Sequence, residues 1–459
     1  MKLYINLFFA LLFSSVLASC SSDESTGTPS NYEQYGSPFA KMPNREDVVI
    51  YQVNLRAFSQ AGTLNGVREK LDHIKSLGVN VIYLMPIYPV GVERSAGGLG
   101  SPYSIKDYKA VSTEFGTLND LRALVDEAHS KDMAVILDWV ANHTSWDNSW
   151  ITEHPEYYQK NDAGQIIPPP NTNWNDVAQL DHNNTEMRKA MIDAMSYWVY
   201  NANIDGFRCD AADFVQQSFW AEINTAIRKI KNQKMLMLAE GSRRNHFDVG
   251  FDYTFGFNFF DAMKKVFGEN KPATLLQDSN ATEYLNNYNE QNRVVRYTTN
   301  HDVNLSDGTP IELFKGKKGS IAAFVVASYM KSVPMIYNGQ EIGYANRLDY
   351  FNKTPIDWTT ADPAILAEYQ KIIAFRNTSD ALKTGSYKGY SSNAISVFTM
   401  ESASQKVVVL ANLTNSNVNY IVPSQLAETS WKDAFSDAPT NLSGDISLLP
   451  FQYIVLKNN

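Results

Sequence analysis

From Val48 to Arg376 the sequence alternates short β-rich runs with amphipathic stretches of helical period, and this alternation narrows the folds open to the chain. Val48–Val53, Val79–Leu84 and Ala134–Asp138 read as strands. The third has no polar break before its last residue, as a parallel strand buried on both faces requires. Helical patterns follow at Val67–Leu77, closed by Gly78, and at Leu118–His129, with Thr117 or Asn119 as N-cap. Residues 143–181 keep no period and are rich in Trp, Pro, Asn and Asp, which suits an excursion between a strand and its helix. The alternation resumes with helix Thr185–Asn203, strand Gly206–Asp210, helix Phe219–Ile230 and strand Met235–Ala239. A weaker strand at Phe251–Phe255 precedes strand Val294–Thr298, helix Ser320–Lys331, strand Val333–Tyr337 and helix Pro363–Arg376, with Asp362 as N-cap. About eight strand-then-helix units predict an α/β protein built as a (β/α)8 TIM barrel. An open doubly wound sheet is disfavoured because no Gly-rich dinucleotide turn follows the first strand, and no organic cofactor is expected.

The ends of the chain differ from its middle. Met1 and Lys2 lead an apolar stretch to Leu17, too short for a stable membrane span, followed by Leu17-Ala18-Ser19-Cys20 and a Ser/Asp/Thr/Gly/Pro run. Leu17-Ala18-Ser19-Cys20 resembles the bacterial lipoprotein processing site, which implies that residues 1–19 are a signal peptide and that Cys20 is acylated after cleavage. An ordinary secretory signal with an incidental Cys20 is the alternative. Residues 20–42 read as a flexible tether, residues 43–384 as the barrel with its insertion at 143–181, and residues 385–459 as an antiparallel β-sandwich domain. The expected location is outside the cytoplasm, anchored to a bacterial membrane by lipid. A net charge of −9 without Lys/Arg clusters argues against nucleic acid as a partner. Two cysteines cannot make a disulfide framework, and the chain is expected to work as a monomer.

Barrel enzymes build their sites at the C-terminal ends of strands, so polar residues there carry weight. Asp138 ends the third strand, Arg208 and Asp210 the fourth and Glu240 the fifth, while Asn300-His301-Asp302 follow a later strand. Any one of these is as well explained by a helix cap or an ion pair; four converging on one rim are not. Arg208 precedes Asp210 by two residues and so shares its face of the strand, where a fixed positive charge favours the ionised carboxylate. Glu240 has no adjacent cation in sequence, which suits a group that must hold a proton part of the time. Two carboxylates in opposite protonation states are what acetal cleavage needs. No zinc-binding spacing is present.

Asp-x-x-x-Asn-His at 138–143, Gly-Phe-Arg-x-Asp-Ala-Ala at 206–212, the strand-end Glu240 and Asn-His-Asp at 300–302 resemble, in order and spacing, the four signature regions of the α-amylase family of glycoside hydrolases. Gly100-Ser101-Pro102-Tyr103 and Val177-Ala178-Gln179-Leu180-Asp181 resemble two further family segments. The resemblance implies a retaining hydrolase of α-1,4-glucans, with Asp210 as nucleophile, Glu240 as general acid/base and Asp302 holding the sugar. It also implies Arg208 against the nucleophile, His143 and His301 on ring hydroxyls, Tyr103 beneath a ring, and Arg347 on a more distant sugar. Asn142 and Asp181 match two calcium-ligand positions, and their oxygens suit a hard cation, although Asn142 serves equally as a structural hydrogen-bonder. Asp213-Phe214 replace the Lys-His of many members, which weakens both the usual leaving-side sugar contact and the calcium site. Within the family, a cyclomaltodextrinase or neopullulanase, an α-glucosidase or a transglycosylase is the alternative. Outside enzymes, the rival is a starch-binding lipoprotein on a degenerate barrel, disfavoured because the three acidic residues are all present.

Overall fold

The computed structural model describes residues 32–230, 232–284, 292–427 and 429–458, with Tyr32–Asn459 forming one compact unit. The signal peptide, Cys20 and the first part of the expected tether lie outside the described residues. Among the described residues no helix is long and apolar enough to cross a membrane.

Eight parallel strands close into a barrel: β1 (Ile50–Val53), β2 (Val81–Leu84), β3 (Ala134–Trp139), β4 (Gly206–Cys209), β5 (Leu236–Ala239), β6 (Tyr253–Phe255), β7 (Arg293–Arg296) and β8 (Val333–Tyr337). Sequential strands are neighbours, and β8 pairs back with β1 through Ile50 opposite Met335. Every strand residue is buried, because helices cover the outside while side chains fill the inside. The expected (β/α)8 architecture is therefore the one observed. The stretch predicted as one helix at 67–77 is two short helices, Leu64–Arg68 and Leu71–Ser76, closed by Gly78 at φ +79°. Thr117 caps the helix Leu118–Ser130 in a reciprocal capping box with Asp120, and Asp362 caps Pro363–Thr378.

The excursion after β3 folds around a two-stranded antiparallel sheet, His143–Ser145 against Val177–Gln179. At the C-terminus a six-stranded antiparallel sheet begins at Ser386. Its second strand, Ile395–Glu401, alternates faces: Ile395 and Val397 join a second apolar cluster with Trp431 and Leu448, while Phe398 and Met400 join the barrel's core.

One expectation is corrected at the N-terminal side. The tether expected through residue 42 is docked from Tyr32 onward, because its aromatic residues find partners on two barrel helices. Tyr32 Oη donates to Asp193 at 3.0 Å and Tyr35 Oη to Asp126 at 2.7 Å. Phe39 stacks on His129 with centroids 4.4 Å apart, and Asn203 Nδ2 donates to Ser37 O at 2.7 Å.

Candidate active site

Asp138 and Arg208 are direct register partners on β3 and β4, so their side chains enter the barrel mouth side by side. Arg208 Nη1 donates to Asp138 Oδ1 at 2.7 Å and to Asp210 Oδ1 at 2.8 Å, while Nη2 pairs with Glu240 Oε1. One guanidinium, 1% exposed, thus holds three carboxylates from three consecutive strands. Glu240 has no cation adjacent in sequence, and the barrel's closure brings Arg208 to it from the neighbouring strand. The ladder hydrogen bonds run past the strand ends and fix this arrangement, with Asp210 N on Trp139 O and Glu240 N on Cys209 O, both at 2.9 Å. Ala211 sits at φ +45°, a costly conformation for a residue with a Cβ, and its N–H donates to Glu240 Oε2 at 2.7 Å.

Three carboxylates around one guanidinium leave an excess of negative charge in a buried place. Burial and the Glu240 carboxylate push Asp210 well above the ordinary carboxylate range, against the pull of Arg208. Burial likewise raises Asp138 to about 6, with Arg208 opposing. The cluster therefore takes up a proton more readily than separate carboxylates would.

Above this floor stand Tyr103, His301 and Asp302. Tyr103 Oη lies 3.1 Å from Asp138 Oδ2 and 2.6 Å from His301 Nε2, and its ring stacks on His301 at 5.3 Å. His301 Nδ1 meets Gln52 Nε2 at 2.8 Å. With Gln52 donating there, the neutral imidazole donates from Nε2 to Tyr103, whose hydroxyl proton goes to Asp138. Burial and the charge of Arg208 hold His301 neutral, down at about 3, and burial holds His143 at about 4. Asp302 remains 49% exposed, 3.4 Å from both His301 Nε2 and Tyr350 Oη, and is open to a ligand. His143 faces Trp174 of the excursion at 5.6 Å, and Trp174 meets Phe214 at 5.4 Å. Phe214 is 57% exposed, unusual for a phenyl ring.

The structure thus gathers Asp210, Glu240, Arg208, Tyr103, His301 and Asp302 in one cleft, with His143 on its excursion side. Arg347 it seats elsewhere. Its guanidinium binds Glu312 at 3.2 Å and the carbonyls of Leu305, Ser306 and Asp307, closing the end of the helix that begins at His301. Gln52, Tyr83 and Tyr350 were not foreseen; Tyr83 Oη donates to Asp138 Oδ2 at 2.5 Å. Asp213 binds His246 Nε2 at 2.7 Å and Ser242 N at 3.2 Å, so it ties the loop after Asp210 to the loop after Glu240. Cys209 is buried on the opposite face of β4 from Arg208, as the strand period requires.

At the two positions matched to calcium, amide donors face the side-chain oxygens Asn142 Oδ1 and Asp181 Oδ1. Asn142 Oδ1 accepts from Gln179 Nε2 at 3.2 Å, and Asp181 Oδ1 accepts from Asn183 N and Nδ2 at 3.0 and 3.1 Å. Calcium requires six to eight oxygens, roughly, and those present are engaged by amide donors. Among the described residues no group of three or more His, Cys, Asp or Glu is arranged to hold a metal ion.

A family profile described as alpha amylase, catalytic domain, matches residues 35–174 and 171–429. Alpha-amylase 2 of Dictyoglomus thermophilum is 27% identical over 401 residues, covering 80% of this chain and 66% of that protein. Trehalose-6-phosphate hydrolase of Bacillus subtilis is 33% identical over 208 residues, 37% of this chain and 35% of that one. The chain thus spans two thirds or less of these two relatives' lengths. Among solved structures, an alpha-amylase from Lactobacillus plantarum superposes with a TM-score of 0.81 at 27% identity, covering 90% of this chain and 99% of the other. With the profile spanning most of its length and four carboxylates standing at the mouth of its barrel, this chain belongs to the α-amylase family of glycoside hydrolases, family 13.

Proposed function

We propose that the protein is a retaining glycoside hydrolase that cleaves α-1,4-glucosidic bonds in starch, glycogen or maltooligosaccharides. The observation that carries this reading is the single Arg208 guanidinium holding Asp210 and Glu240 together, with Asp302 open beside them. Carboxyls bridged by one guanidinium suit the closely spaced pair of a retaining enzyme, about 5–5.5 Å, rather than the wider pair that admits a water. Glu240 delivers the cluster's proton to the glycosidic oxygen while an Asp210 oxygen bonds to the anomeric carbon, and the leaving sugar departs with that proton. Water then attacks the same carbon, Glu240 takes its proton, and Asp210 is released as carboxylate. Asp302 accepts hydrogen bonds from ring hydroxyls and holds the ring distorted. His143, kept neutral, donates to a ring hydroxyl without adding positive charge next to the developing cation, while the neutral His301 spends its Nε2–H on Tyr103 and so holds that ring in place. Tyr103 offers its ring face to the sugar.

The names of relatives span amylases and a trehalose-6-phosphate hydrolase, so bond preference rests on the loops rather than on this floor. The leader sequence supports an exported, lipid-anchored protein acting on glucan outside the cytoplasm, with Cys20 as the acylated residue. Incubation with amylose, pullulan and cyclodextrin, read for product size and anomer, tests the proposal. Maltooligosaccharides released from amylose as α-anomers are expected. Products of inverted anomer would sink the retaining assignment, and no turnover of any of the three would sink the substrate class. Asp210→Asn should abolish hydrolysis while leaving oligosaccharide binding intact.

A further inference from the structure

The place where the excursion meets the barrel carries an unusual contact. Gln179 Nε2 lies 3.0 Å from Asn142 O, 3.2 Å from Asn142 Oδ1 and 3.0 Å from Leu180 O. All three residues are buried. A primary amide has two N–H groups, yet three oxygens close on this one nitrogen. Three carbonyl-type oxygens converging in a buried place repel one another and need a donor at their centre. That is the arrangement a hard cation collects around itself. Here the centre is occupied by a neutral side chain of the chain itself. Asp181, next to Leu180 in sequence, has its Oδ1 engaged by the N–H and Nδ2 of Asn183.

We propose that the Gln179 amide does the work of a bound cation, pinning the excursion to the barrel rim so that the fold is independent of calcium. Gln179 is well placed for the task. Its backbone pairs with His143 in the excursion's small sheet, its N–H donates to Ile167 O at 2.9 Å, and its carbonyl accepts from Gln159 N at 3.0 Å. Asn142, which receives the amide, in turn contacts His143 Nδ1 through its own Nδ2 at 3.2 Å. The amide therefore also sets the ring that faces the cleft. An unpaired carboxylate at position 179 would place a fourth oxygen against the other three. A shorter one would draw back and leave a cavity lined by oxygens. The inference does not rest on which glucan the cleft accepts, and its test reads stability rather than turnover.

The experiment compares thermal midpoints of the full protein in chelator and in millimolar calcium chloride. The wild-type midpoint should be the same in both. Gln179→Leu should lower it by several degrees in both, the size expected from unsatisfied buried oxygens. Gln179→Asp should be lowered in chelator and raised again by calcium, because the shorter carboxylate exchanges the internal donor for a cation site. A wild-type midpoint that falls in chelator, with that response lost in Gln179→Leu, would overturn the proposal. So would a Gln179→Leu protein as stable as the wild type, or a Gln179→Asp midpoint indifferent to calcium. Should either variant fail to fold, the wild-type comparison decides by itself.

Discussion

Arg208 Nη1 stands 2.7 Å from Asp138 Oδ1, and the two residues are partners in the register of neighbouring strands. Neither side chain is exposed beyond 1%. Asp138 is thus the fixed support of the guanidinium that the other two carboxylates share, and it is held from its far side by Tyr83 and Tyr103.

Removing the cation from this arrangement leaves three carboxylates facing one another in a buried place. Arg208→Gln is expected to lose activity and to destabilise the fold by about 3–5 kcal/mol, the scale of breaking a buried pair from one side. Urea unfolding gives the measurement. Pairing the change with Asp138→Asn should return part of that loss, since one of the stranded charges is then gone.

Glu240→Gln keeps the shape of the side chain proposed as the acid and removes its proton chemistry. The rate should fall by roughly 10²–10⁴-fold, the usual contribution of a positioned acid or base. Substrates with an activated leaving group, such as an aryl maltooligosaccharide, should suffer far less in the first step because they need no protonation. A Glu240→Gln enzyme that cleaves aryl and natural glycosides with the same loss would remove Glu240 from the acid role.

His301 gives a pH-dependent term with a definite sign. It is held neutral, at about 3 in the folded chain, whereas an unfolded chain protonates it near 6.5. Its contribution is therefore complete above about 6.5 and is lost as the pH falls toward 3. Asp138, raised to about 6, acts oppositely and lowers stability as the pH rises from the ordinary carboxylate range toward that value. Unfolding free energies of wild type and His301→Gln at pH 7 and pH 4 separate the two. The wild type should lose on the order of 3 kcal/mol more than the variant over that interval.

Tyr103 serves through its ring and through its hydroxyl. Tyr103→Phe retains the ring stacked on His301 and deletes the link from His301 to Asp138. Steady-state kinetics should register a lower kcat with KM little changed, whereas Tyr103→Ala should raise KM as well.

The architecture could be read from the chain because parallel strands buried on both faces leave unbroken apolar runs, and Ala134–Asp138 is one. The pairing of Arg208 with Asp210 followed from the two-residue period of a strand. Gln52 and Tyr350 did not show, since their partners are brought in by barrel closure; Gln52 and His301 are 249 positions apart. The same closure delivers Arg208 to Glu240, which sequence neighbours alone do not foretell. Among the C-terminal strands, Ser386–Gly389 and Val418–Ile421 escaped notice because each is short and largely open to solvent, so neither shows a sustained apolar face. Arg347 illustrates the reverse case, where a motif position matched but the local helix end claimed the side chain.

Phe214 offers a practical opening. It and Trp174 reach the cleft from segments outside the barrel's ladder, while the acidic cluster is fastened to the strands themselves. On the proposed reading, diversifying these two rings is a route to retuning which ligand is preferred without touching the acidic cluster, an arrangement well suited to directed evolution.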